Sequence, residues 1–426
     1  MARSEVNTFD YVIVGGGTSG AIIAWRLGEA GKSVCVLEAG PPDKNPLIHL
    51  PAGFNKTITN PALTWQFESD PDPNIAGRSI VYAQGKTYGG SSSINGMIYN
   101  RGQAADFDGW AKEGNEGWSY EDVLPYFRRT ETRVGGGVDP RYRGLDGRLK
   151  VTTTSWPNEL EEAFSAAALN AGHPDNPDYN GASQEGVGPY QSSIFNGRRG
   201  STSSAFLRPA RKCFGVEVRC NASAIRVSFQ GTRATGVVYK KGNKEEVVNA
   251  SCEVIVAAGA INSPKLLQLS GIGPPALLKP LGIPIICPLE AVGENLRDHF
   301  TPRFQLQAAP HLVTINQRVK GIKLATEITR WLFGYPNVLS ISPGRVHVFG
   351  KSSTTLDNPD FVILFAPASY KAGRVGVLDD FPGFTLGVWQ MRPRSAGYVR
   401  IKSKDPDADP SFNPRYLSND QDLKIL

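Results

Sequence analysis

The sequence predicts a mixed α/β fold, with a parallel β-α-β unit at its start and antiparallel strands later. Three observations carry this expectation. A short apolar run over residues 9–14 breaks into glycines, and a helical pattern and a second β-branched run over 34–37 follow. Residues 216–250 alternate in the manner of an antiparallel meander, with turn signals at Gln230-Gly231 and Lys241-Gly242-Asn243. From Glu253, "EVIVAAGAINSPKLLQLSGIG" reads as a buried strand, a tight turn and a helix.

Taken in order, the elements support that class. In "FDYVIV" the chain is apolar enough for a buried parallel strand. Residues 18–31 place Ala21, Ile22, Trp25 and Leu27 at helical spacing, and Gly31 closes the helix. The link to the next strand is short, as adjacent parallel strands require, and that strand ends at Glu38. Residues 40–110 are rich in Pro, Gly, Asn and Ser and read as loops. Residues 117–131 predict a helix with an aromatic face, 133–150 a Gly/Arg-rich loop, and 158–171 a further helix. After about residue 305 come mixed strands and one amphipathic helix near 319–333, so a domain change is placed there, dividing the chain into 1–305 and 306–426.

Composition removes several classes. The 426 residues suit two to three domains, and 40% hydrophobic residues are too many for a disordered chain. The 46 glycines and 31 prolines follow no period, which excludes collagen and argues against a solenoid. A net charge of +6 without a basic run argues against nucleic acid. No apolar stretch is long enough to cross a bilayer, and "MARSEVNTFDY" lacks the apolar core of a secretory leader. A cytoplasmic protein, peripheral to a membrane at most, is expected. Five scattered cysteines, at 35, 213, 220, 252 and 287, have no metal-ligand spacing. They are expected to be free buried thiols, with no metal bound and the sequons at Asn55, Asn221 and Asn249 idle.

The chemistry begins at Gly15-Gly16-Gly17-Thr18-Ser19-Gly20, which fits G-x-G-x-x-G between a strand and a helix. Gly15 permits the turn, Gly17 leaves room for a pyrophosphate, and Gly20 lets helix and strand pack closely. The helix start at Thr18 and Ser19 offers free N–H groups and a positive dipole. Glu38, at the end of the second strand and followed by Ala39, can accept from ribose hydroxyls and disfavours a 2′-phosphate. The fingerprint alone does not separate NAD from FAD.

Two further segments name a family. "GKTYGGSSSINGMIYNRGQAADFD", from Gly85 to Asp108, resembles the first signature of the glucose–methanol–choline (GMC) flavoprotein oxidoreductases. "GAINSPKLLQLSGIG" is similar to their second signature, and "VGENLRDH" also resembles the family. Tyr88 departs from the pattern, standing where an aliphatic residue or Trp is usual. The resemblance implies a doubly wound FAD-binding domain of Rossmann type plus a substrate domain built on an antiparallel sheet. Gly89, Gly90 and Ser91 would offer clustered backbone N–H groups, and Asn95, Gly96 and Met97 would follow along the flavin ring. Trp65 matches the family's aromatic residue near the flavin, and Ala224 the residue whose backbone meets adenine.

By the same resemblance, Ile94 stands where some members carry a histidine that binds the flavin covalently, so noncovalent FAD is implied. Ser93 replaces the cysteine of the light-driven members. The implied reaction is hydride transfer from a small primary alcohol to the flavin, with oxygen or a quinone as electron acceptor. The alternatives are an inactive FAD-binding fragment or pseudoenzyme, and a lyase acting on cyanohydrins.

The family's base is a His paired with His or Asn, in a segment expected beyond Leu426. Ser418 reads as the cap of a last helix whose apolar face, Leu423, Ile425 and Leu426, has nothing to cover it. The chain as given is therefore expected to be C-terminally incomplete, poorly soluble and inactive. None of His49, His173, His299, His311 and His347 has a base-and-partner setting, and His299 in "RDH" is expected to be structural. Arg345 aligns with the glutamate that receives the trimethylammonium group in choline enzymes, which points away from choline toward a neutral alcohol.

Overall fold

The computed structural model describes residues 7–374 and 376–426. Residues 1–6, part of the segment read as lacking a leader, lie outside the described residues.

A six-stranded sheet carries the N-terminal half. Its order is Glu217–Cys220, Val34–Glu38, Thr8–Val14, Lys244–Val256, Arg233–Lys241, Ala222–Gln230. We call Thr8–Val14 β1, Thr18–Glu29 α1 and Val34–Glu38 β2. β1 pairs in parallel with both β2 and the long strand Lys244–Val256, and the outer hairpin is antiparallel. All five residues of β2 are buried, as expected of a strand covered on both faces. Ile13 points toward α1, where it packs with Ala21, Ala24 and Trp25. Val12 and Val14 point the other way, into a core shared with Val227, Val237, Tyr239 and Leu266.

The meander and the strand expected from Glu253 are one element. Residues 244–249 close the antiparallel hairpin with 236–241, and 249–256 then run parallel to β1. Nothing in Asn249-Ala250-Ser251-Cys252 breaks an extended chain, and an irregularity between Phe9 and Tyr11 absorbs the change of register.

The second sheet is antiparallel, in the order Arg303–Gln307, Gly383–Gln390, Phe361–Ala366, Val346–Gly350, Gly186–Pro189. The helix Glu159–Asn170 covers one face through Leu160, Phe164 and Ala168. Pairing crosses position 305 in both directions. Gly186–Pro189 joins this second sheet, while Gly397–Arg400 pairs with Glu294–Leu296 and its Val399 packs on Ile261 and Phe67. The chain passes between the two bodies more than once.

The 133–150 loop is docked: Arg143 is 1% exposed and pairs with Glu131 at 2.7 Å and with Asp178. Two local expectations are corrected. The last helix, Asp420–Ile425, is capped by Asn419, whose side chain accepts from Gln421 N, and not by Ser418. There Leu423 is exposed, while Asp422 is buried and accepts from the backbone of Arg394 and Ser395. Of the five free cysteines only Cys35 is buried, and Cys213, Cys252 and Cys287 are exposed. Among the described residues, no helix is long and apolar enough to cross a membrane and no cluster has metal-ligand character.

Candidate active site

The largest consequence of the β1-turn-α1 geometry is a cleft of about 470 Å³ at the C-terminal ends of the parallel strands. The glycines that build it have separate jobs. Gly15 has φ +102°, and a Cβ there would lie 2.4 Å from the Ala257 carbonyl oxygen, so the turn accepts no side chain. At Gly20 a Cβ would sit 1.9 Å from the Gly15 oxygen, which fixes the close approach of helix and strand. Gly17 is different. It is the N-cap of α1, and a Cβ there would meet only Gly90 Cα, at 3.8 Å. Its free side faces the cleft, which also receives Thr18 and Ser19 from the first turn of α1. That turn has no acidic residue and no side-chain cap, so its N–H groups remain to be satisfied.

A second glycine loop meets the first. Gly89 N donates to the Gly16 carbonyl at 2.8 Å, and a Cβ on Gly90 would lie 2.7 Å from Gly17 Cα. Gly90 and Ser91 line the cleft, with Ser91 exposed and its hydroxyl accepting from Gly85 N at 3.1 Å. Gly40 and Gly85 were not singled out in the sequence. A Cβ at Gly40 would strike the Lys86 carbonyl at 1.8 Å, and one at Gly85 would strike Gly90. Only the folded contact between distant segments reveals these demands.

Glu38 lines the cleft at the end of β2. It is 5% exposed; Oε2 accepts from Gly16 N at 2.9 Å and Oε1 from Gly40 N at 2.8 Å. Burial nevertheless pushes its pKa up to about 7, against the lowering effect of these donors and of Lys86. Each oxygen keeps a lone pair for a further donor. Ala39, Trp65 and Ala224 also line the cleft. Trp65 stacks on Phe67 at 5.7 Å with the Lys86 ammonium 4.2 Å above its ring.

The remaining predicted residues run past the cleft. Asn95 is exposed, with Oδ1 accepting from Met97 N at 3.1 Å. The Gly96 carbonyl accepts from Ser342 Oγ at 2.8 Å, which ties the loop to the second body. Met97 has φ +63° and buries its side chain to 1%, so only its backbone is available to a ligand. Lys265, from the second signature, was not singled out and also lines the cleft. It is 9% exposed, and burial lowers its pKa despite the aspartates at 405, 407 and 409.

None of the five histidines lines this cleft. His347 is fully buried against Tyr179, Tyr190 and Phe349, and burial pushes its pKa down to about 3. The ring nitrogens of His49 and His299 lie 2.8 Å and 3.0 Å from the carbonyls of Asp43 and Met391. Arg345 corrects an expectation. It is 5% exposed and pairs with Glu161 at 2.9 Å, donating also to Thr154, so it opposes no incoming cation with an unpaired charge.

Residues 9–301 match the GMC oxidoreductase family model. The chain belongs to this family. An oxygen-dependent choline dehydrogenase from Staphylococcus saprophyticus is 39% identical over 423 residues, covering 98% of this chain and 75% of the relative. A protein of the same name from Brucella ovis is 39% identical over 414 residues, 97% of this chain and 74% of its own. Among solved structures, pyridoxine 4-oxidase from Mesorbium loti superposes with a TM-score of 0.84 at 26% identity, over 98% of this chain and 78% of that one. Formate oxidase from Aspergillus oryzae shares the fold, with a TM-score of 0.89 at 24% identity, over 99% of this chain and 80% of that one. This GMC protein is therefore an FAD-dependent oxidoreductase, with the mixed fold that its motifs implied.

Proposed function

We propose that the cleft holds FAD without a covalent link, and that this GMC oxidoreductase oxidises a primary alcohol to an aldehyde. The observation that carries the reading is the meeting of Gly17 and Gly90 at one mouth, which leaves a side-chain-free passage beside the unsatisfied N–H groups of α1. The backbone from Gly17 to Ser19 and from Gly89 to Ser91 would hold the pyrophosphate, and Glu38 the ribose hydroxyls. Ala224 and Trp65 would flank the two ends. Ile94 offers no nucleophile to the ring. Bound FAD supplies the hydride acceptor.

The relatives' name supports choline as the first alcohol to test. The pairing of Arg345 with Glu161 removes the charge argument against it. No histidine among the described residues lines the cleft, so none of the five is assigned the hydroxyl proton. A positioned base for that proton is worth ~10²–10⁴ in rate.

The test is FAD reconstitution followed by anaerobic mixing with choline and with butan-1-ol. Acid precipitation should leave a colourless pellet and a yellow supernatant. Alcohol should bleach the flavin slowly, and faster as pH rises. A coloured pellet overturns noncovalent binding. Complete inertness toward both alcohols, with turnover of a cyanohydrin, would make the protein a lyase.

A further inference from the structure

Beneath the 92–97 loop lies a buried arginine that the sequence motifs did not bring forward. Arg199 is 4% exposed. Its Nε donates to the Ile48 carbonyl at 2.8 Å. Its Nη1 donates to the carbonyls of Ser92 at 3.2 Å and Asn95 at 2.7 Å, and to Asn95 Oδ1 at 2.9 Å. Its Nη2 is fully buried and, among the described residues, has no acceptor. Four other arginines are buried too, at 1–8% exposure, and each has a carboxylate: Arg101 and Arg143 pair with Glu131, Arg219 with Glu217, and Arg345 with Glu161. Arg199 has none among the described residues, and burial alone lowers its pKa, to about 10. It therefore stays charged at neutral pH.

An isolated buried charge is unfavourable and persists where something offsets it. Carbonyl dipoles offset part of this one. The carbonyls belong to the loop that continues directly from the cleft residues Gly90 and Ser91. We propose that Arg199 is a positioning residue for the flavin: it holds the Ser92–Asn95 turn in place, and its unpaired positive charge favours the electron-rich state of the ring bound against that turn. The inference rests on the FAD reading above. When an alcohol carbon gives up a hydride, two electrons and one proton reach the ring, while the hydroxyl proton leaves to a base or to solvent. The ring is then left with one additional negative charge, and a nearby cation in a dry interior stabilises it.

A loop staple without electrostatic function would give the same hydrogen bonds, so the test separates charge from shape. FAD-loaded parent, Arg199→Lys and Arg199→Met are compared by the dissociation constant of sulfite, an anion that adds its electron pair to the oxidised ring. Melting temperatures are read alongside. Arg199→Met should weaken sulfite binding by roughly tenfold or more. Arg199→Lys keeps the charge, loses the fork, and should stay within about threefold of the parent. Arg199→Gln replaces Met if that variant fails to fold. If both variants bind sulfite like the parent, or both lose it in proportion to stability, Arg199 is only a staple and the proposal falls. A parent chain that binds no FAD overturns the cofactor reading itself, which is a different result from a loaded parent indifferent to Arg199→Met.

Discussion

Glu38 makes FAD affinity pH-dependent in a direction that can be worked out beforehand. Its pKa lies near 7 because burial penalises the charged carboxylate more than two backbone donors relieve it. At pH 6 about a tenth of the carboxyls are ionised, and at pH 8 about nine-tenths. In the FAD reading proposed above, ribose hydroxyls would donate to the ionised form, so binding would draw on that fraction. Affinity should therefore fall about tenfold from pH 8 to pH 6, or about 1.4 kcal/mol. Stability of the apoprotein should move the opposite way. A carboxyl whose folded pKa exceeds its unfolded value of about 4.5 contributes stability that is present below that value and lost as pH rises through about 7. The assay is fluorescence titration of apoprotein with FAD at half-unit pH steps, with Glu38→Gln in parallel. Glu38→Gln should bind more weakly, by about 1–3 kcal/mol at pH 8, and show a flat profile. A flat profile in the parent, or a parental profile retained in Glu38→Gln, would refute the reasoning.

Further outcomes follow from single contacts. Gly20→Ala places a methyl 1.9 Å from a backbone oxygen, so its melting temperature should drop, with refolding yield lost before cofactor binding is measurable. A thiol reagent should modify Cys213, Cys252 and Cys287 quickly in the native protein, while Cys35, with its pKa pushed to about 12 by burial, reacts only on unfolding; peptide mapping reads this directly. Glu161→Gln strips Arg345 of its counter-charge, and a drop of about 3–5 kcal/mol in chemical denaturation is expected, the cost of leaving one half of a buried pair.

What could be read from the sequence were the features set by local backbone demand. The backbone demands at Gly15 and Gly20, and the placement of Gly17 and Glu38 at the cleft, were legible because a strand, a turn and a helix within one short segment fix those positions. Gly40 and Gly85 were not, since their constraint is the approach of Lys86 and of Gly90, and that contact exists only after folding. The strand Lys244–Val256 was divided in the sequence reading because alternation marks its antiparallel half and a continuous apolar run its buried parallel half. Arg345 was placed by alignment, which gives position but not partner, and Glu161 lies 184 residues away. Arg199 carried no signal, because an unpaired buried charge is defined by what surrounds it.

The central claim, that the two glycine loops form an FAD site, is tested most directly by Gly17→Val. Outside its own stretch of chain the added Cβ meets no atom closer than 3.8 Å, and the backbone there, at φ −75°, is extended and not left-handed. Fold and cofactor can therefore be separated. Parent and variant are compared for melting temperature without FAD and for flavin occupancy after reconstitution. The account predicts apoprotein melting temperatures alike within a few degrees, and a yellow parent beside a colourless variant. Equal flavin occupancy in the two proteins would contradict it.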